Sequence, residues 1–130
     1  MDNPKKEAGS LKAPMFGLSP QAVAQANAAA QVGHIKYGMY NYRDVPVCSS
    51  TYIAAIRRHL DLYEDGFDYE KDTGLYELAF IMAGAACLMD AHITGNVEDD
   101  RNKTFTMRGV QNTCAALVNT FKKKWESMNE

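Results

Sequence analysis

Asp61 and Glu64 stand three residues apart in a run whose apolar residues, Ile53, Ile56, Leu60 and Tyr63, recur at helical spacing. Both carboxylates therefore leave the same side of one helix, about a turn apart. Glu77 opens a second run, Leu78 to Met89, that contains no charge at all. A helix apolar all round is expected to be buried, and a carboxylate at its mouth needs a partner, because burying a bare charge is costly. Mg²⁺ and Mn²⁺ are hard ions that take oxygen ligands, keep several waters and bind through a few carboxylates plus substrate phosphates. A metal held by Asp61, Glu64 and Glu77 would lower the pKa of a bound water and neutralise phosphate charge during in-line attack. The same acids also fit a solvated helix end, with Arg57 four residues before Asp61 as an ordinary surface partner.

A second set of chemistry-bearing residues lies in the loop from Met39 to Ser49, which holds Tyr40, Asn41, Tyr42, Arg43 and Pro46. Rings stack on a base, an amide reads its edge and a guanidinium meets phosphate, so this mixture suits a nucleotide. It suits a packed surface loop equally well.

The elements that must position these groups can be read from spacing and punctuation. Ser19-Pro20 starts a helix over Gln21 to Tyr37, with serine as cap and proline at the first helical position, and Gly38 ends it. Its face of Ala22, Ala26, Ala29, Ala30 and Gly33 would let another helix come close. Ser49-Ser50-Thr51 is expected to cap the helix that carries Asp61 and Glu64. The link Asp65 to Gly74 is acidic and turn-rich, but lacks the residue order of a calcium loop. A last helix from about Phe105 to Met128 carries the stripe Met107, Val110, Cys114, Leu117, Val118, Phe121 and Trp125. Lys122-Lys123-Lys124 complements its dipole. Four helices with short connections predict an all-α, four-helix bundle-like domain over residues 14–130, preceded by a flexible stretch over 1–13. Subunits are expected to associate through the small-residue face and the uncharged helix.

Bulk properties set the class. The chain has 130 residues, is 46% hydrophobic and has a formal charge of −2. That is enough for one real core, and it offers no basic surface for nucleic acid. Cys48, Cys87 and Cys114 are odd in number and lack C-x-x-C spacing, which fits reduced structural thiols in a cytoplasmic compartment. Lysines without an apolar core region near the start give no signal peptide, and the uncharged run is shorter than the roughly 20 residues a bilayer needs. No membrane role is expected.

Lys36-Tyr37-Gly38, Asn41-Tyr42-Arg43, Arg58-His59-Leu60, Gly66-Phe67-Asp68 and Thr73-Gly74-Leu75 follow one another in an order that resembles a phage-encoded family, the N-terminal type of dATP/dGTP diphosphohydrolase. That family is similar in turn to the all-α, MazG-like nucleoside triphosphate pyrophosphohydrolases. The resemblance covers roughly Pro14 to Thr94. It implies a homo-oligomer (dimer or tetramer), Mg²⁺ or Mn²⁺, and cleavage of a purine deoxynucleoside triphosphate, dGTP favoured, to monophosphate and pyrophosphate, in the host cytoplasm if phage-encoded. Lys36, Asn41 and Arg43 match positions for phosphate and base contacts, and Glu64 and Glu77 are the expected catalytic acids. The MazG-like pattern E-x-x-E, then E-x-x-D, is met by Asp61, Glu64 and Glu77, but Phe80 stands where the last acid belongs. The phage family carries an acid at the place of Phe67 and histidines at those of Glu77 and Phe80. The ligand set is therefore redistributed here, with Asp68 or His59 completing it. A non-catalytic helical interaction module, or a hydrolase acting on diphosphates, is the alternative.

Sedimentation at micromolar concentration should show a species heavier than the 14.4 kDa chain. A single 14.4 kDa boundary would remove the expectation of an oligomer.

Overall fold

The computed structural model describes residues 3–130, and the start of the stretch expected to be flexible, residues 1–2, lies outside it. The order of elements is α1 (Pro4–Gly9), α2 (Pro20–Tyr37), α3 (Asn41–Asp44), β1 (Val47–Cys48), α4 (Ser49–Glu64), α5 (Glu77–Thr94), β2 (Val97–Glu98) and α6 (Met107–Met128). The architecture is all-α, as the spacing predicts, with one two-stranded parallel ladder that pairs Val47 with Val97 and Cys48 with Glu98. Two compact units divide the chain, Met1–Asp100 and Arg101–Glu130, and each is described by itself.

In the first unit α5 is the central element, packing against both α4 and α2. Where α5 meets α4, Gly84 allows the approach: a Cβ there would lie 3.3 Å from Ile56 Cγ1. Helix α2 begins as read, with Ser19 Oγ accepting from the Ala22 N–H at 3.0 Å and Pro20 in the first position. Gly38, at φ 98°, closes it by donating its N–H to the His34 carbonyl; a side chain there would be strained. The stretch expected to be loose contains the short exposed helix α1, started by Asn3 Oδ1 accepting from the Lys5 N–H at 3.0 Å.

Two expectations fail on physical grounds. Helix α5 is not buried all round: Glu77, Ala79 and Ala91 are buried, while Leu78, Met89 and Ile93 are 41%, 60% and 77% exposed. Helices α4 and α2 cover α5 on two sides and leave part of it open. By length and composition alone its 18 residues are apolar enough to cross a membrane, as many core helices of soluble proteins are. The second failure is the cap of α4. Helix α4 starts at Ser49 with Cys48 as N-cap, and no side chain of the Ser49-Ser50-Thr51 run caps it. Asp100, fifty residues on, does so instead: its Oδ1 accepts from the Ser50 N–H at 2.8 Å. Its Oδ2 takes the Ser50 hydroxyl and, at 3.2 Å, the Cys48 thiol. The β1–β2 ladder brings the two segments together.

The second unit contains α6. Its apolar residues Met107, Val110, Leu117, Val118, Phe121 and Trp125 are all exposed, and the Phe121 and Trp125 rings lie 6.2 Å apart.

The side-chain hydrogen bond from Ser50, then the one from its backbone N–H, holds the Asp100 carboxyl below the usual carboxylate range. A lowered folded-state pKa stabilises the fold above the unfolded pKa and ceases to do so as pH falls through the folded value. Asp100→Asn should therefore melt below wild type at pH 7, with the difference closing as pH drops below about 4. Thermal melts across pH check this, and an unchanged gap at low pH would refute it.

Candidate functional site

A cavity of about 560 Å³ opens in the first unit between α2, the segment 41–48, α4 and α5, within the size range of small-molecule sites. Its wall combines three kinds of group. Lys36 near the end of α2, and Arg58 and His59 on α4, bring positive charge or donors. Tyr42, Tyr52 and Phe80 bring rings, and Ile56, Ala83 and Gly84 form an apolar part. Asn41 adds an amide that can both donate and accept. Burial, and next the Cys87 thiol, raises the Tyr52 phenol; burial first and Cys87 second raises that of Tyr42 as well. Burial, and then Asp90, pushes the Cys87 thiol up too, which fits the inert, free cysteine expected there.

Helical spacing explains why these groups meet. Tyr52, Ile56 and His59 follow at intervals of four and three along α4, so they share one face. Phe80 and Gly84 on α5 meet that face. Between the two helices His59 Nδ1 lies 2.6 Å from Glu77 Oε2, with the histidine side chain 25% exposed and the glutamate 2%. One face of the imidazole is covered by Phe80, whose ring centroid is 4.9 Å away at an interplanar angle of 11°. The buried carboxylate thus has the partner it needs, and that partner is a histidine on the cavity wall. Glu77 also sits in the first turn of α5, where the helix dipole favours negative charge.

The structure brings together some of the expected residues and disperses others. Lys36, Asn41 and His59 all line the cavity, and Glu77 lies directly behind His59. Asp61 and Glu64 are exposed in the last turns of α4, and Asp68 is exposed in the connection, where its carbonyl accepts from the Glu77 N–H at 2.9 Å. Another acid of that connection, Glu70, is engaged locally, its Oε2 accepting from the N–H groups of Asp72 and Thr73 and from the Thr73 hydroxyl. Among the described residues no group of three or more His, Cys, Asp or Glu side chains gathers to hold a metal ion. One Glu77 oxygen is on His59, and Asp61 and Glu64 on α4 are exposed to solvent. Arg43 lies off the cavity wall. Its Nε and Nη2 form a two-pronged pair with Asp90 Oδ2 and Oδ1 at 2.6 and 2.8 Å, and that hydrogen bond, followed by the carboxylate's charge, raises the guanidinium pKa.

Sequence reasoning missed Arg58 and Asp90 as parts of this region. Arg58 precedes His59 and had its signal in the Arg58-His59-Leu60 motif. Asp90 is the charge that ends the uncharged run of α5, so the need for a partner was legible, though not which one.

Glu77→Ala should leave His59 Nδ1 without its acceptor and destabilise the fold by about 1–3 kcal/mol. Glu77→Gln, which keeps an acceptor, should cost less. Urea denaturation of both variants decides, and equal stabilities would show the pair to be incidental.

A model of one protein family matches this chain: dATP/dGTP diphosphohydrolase, N-terminal, over residues 2–101. Neither the curated proteins nor the solved structures contain a match.

Proposed function

The chain belongs to the dATP/dGTP diphosphohydrolase N-terminal family, and from that premise we propose that it binds a purine deoxynucleoside triphosphate in the cavity between α2, α4 and α5 and hydrolyses it to monophosphate and pyrophosphate. The observation that carries this reading is the His59–Glu77 pair at the cavity wall. Glu77 accepting from Nδ1–H leaves the imidazole lone pair on Nε2, the arrangement of a general base oriented by a carboxylate. Phe80 fixes the plane of the ring. A water beside Nε2 gives up its proton to it as the water oxygen bonds to the α-phosphorus. The bond from that phosphorus to the bridging oxygen of the β-phosphate breaks, and pyrophosphate leaves with the electron pair. Lys36 and Arg58 offset the charge of the phosphates. Tyr42 and Asn41 supply a ring and an amide for the base, with dGTP the favoured substrate. Mg²⁺ or Mn²⁺ enters as the counterion of the triphosphate, part of the substrate. Because α5 leaves Leu78, Met89 and Ile93 exposed, the working unit in this reading is a homo-oligomer.

A second reading, nucleotide binding without turnover, draws on Phe80, which covers one face of His59, and on the dispersal of Asp61, Glu64 and Asp68.

Incubation of the common nucleoside triphosphates with the protein and Mn²⁺ in oxygen-18 water separates these readings. Label should appear in dGMP, and Glu77→Gln should slow turnover roughly a hundredfold or more. Label in orthophosphate with diphosphate accumulating would mean γ-attack. Binding without label in any product would leave the second reading.

A further inference from the structure

The wall of the cavity that carries Asn41 and Tyr42 has little regular structure of its own, being the four-residue helix α3 and the two-residue strand β1. It is held from outside the cavity, by residues at the far end of α5. Asp90 grips Arg43 through two hydrogen bonds at 2.6 and 2.8 Å. Past the end of the helix, Gly95 takes the left-handed conformation at φ 73°, turning the chain so that Asn96 faces the same segment. Asn96 Nδ2 donates to the carbonyls of Tyr42 and Val45 at 2.9 and 2.8 Å, and the Asn96 carbonyl accepts from the Val47 N–H at 2.9 Å. Neither Arg43, Asp90 nor Asn96 lines the cavity, whereas Asn41, Tyr42 and Val45 to Cys48 do.

We infer that Asp90 and Asn96 are positioning residues for nucleotide recognition: a clamp that presets Asn41 and Tyr42 against α2 and α4 without touching the ligand. The inference rests on the nucleotide-binding reading above. The two anchors act on different atoms of one short segment, a guanidinium and the backbone carbonyls, so they fix both its place and its rotation. A planar guanidinium meeting a carboxylate through two parallel bonds has one preferred geometry, and three further bonds from a single asparagine leave the backbone little freedom. Rigid preorganisation of a binding wall lowers the ordering cost of binding and leaves the chemical step alone. Loosening the clamp therefore weakens substrate binding while the His59–Glu77 pair, anchored by α4 and α5, keeps its geometry.

The test measures steady-state kinetics with dGTP, direct dGTP binding by calorimetry and thermal melts, on wild type, Asp90→Asn, Asn96→Ala, Asp90→Glu and the exchanged pair Arg43→Asp with Asp90→Arg. Asp90→Asn and Asn96→Ala should raise KM and Kd roughly ten- to a hundredfold, with kcat within about twofold of wild type. The exchanged pair or, if it does not fold, Asp90→Glu should recover most of the lost affinity. If the variants bind dGTP as wild type does, the clamp has no positioning role and the nucleotide-binding reading stands. If kcat, affinity and melting temperature fall together without rescue, its role is structural only and the inference is overturned. If wild type binds no nucleotide, both readings fall.

Discussion

A carboxylate with almost no access to water constrains everything around it. Glu77 is 1% exposed, and a charge in that position must be answered by a hydrogen-bonded partner or the helix that carries it cannot stay where it is. His59 is that partner. Satisfying Glu77 fixes the register of α5 against α4, since the two residues must meet across the helix pair, and Gly84 lets the backbones close in further along. Once this register is set, Phe80 falls on the imidazole and the face bearing Tyr52 and Ile56 opens onto the space that α2 completes. The cavity is in this sense a by-product of burying one acid. The same residue links stability to chemistry, because the interaction that makes the burial tolerable also orients the histidine.

Much of this was legible in the residues. The helix over 20–37 follows from Ser19-Pro20 and Gly38, local signals whose partners are within a few residues. The three long helices of the first unit and the all-α class follow from period and punctuation, and Glu77 was rightly expected to need a partner. What sequence could not supply was the identity of partners far apart along the chain. Spacing puts Asp61 and Glu64 on one side of their helix, but it does not show that His59, five residues before Glu64, is the group that reaches Glu77. Arg43 looked available for phosphate because Asp90, forty-seven residues on, gave no sign of lying beside it. The two cases share one physical reason. Spacing along a helix tells which groups share a face, and it does not tell which group on the neighbouring element is closest.

Helix α5, with its uncharged run from Leu78 to Met89, is the complementary case. Its composition called for burial, and within one chain that burial is only partial, since two neighbours cannot cover a cylinder. Its two charged residues are both tied inward, Glu77 to His59 and Asp90 to Arg43. What remains exposed on the helix includes Leu78, Met89 and Ile93, with Ala85, Ala86 and His92 among them.

The cap on α4 bears on the order in which the chain can assemble. Most helices carry their first-turn acceptor beside them, so the helix can begin as soon as it has been made. Here the acceptor for the Ser50 N–H is Asp100, fifty residues later. On the ribosome, at about 5–20 residues per second, α4 waits several seconds for the group that completes its first turn, and closing so long a loop carries its own entropic cost. Ser50 should therefore be among the later amides of the first unit to gain protection as it folds, and among the earlier ones to lose it. Asp100, which supplies that acceptor, is the last residue of the first unit.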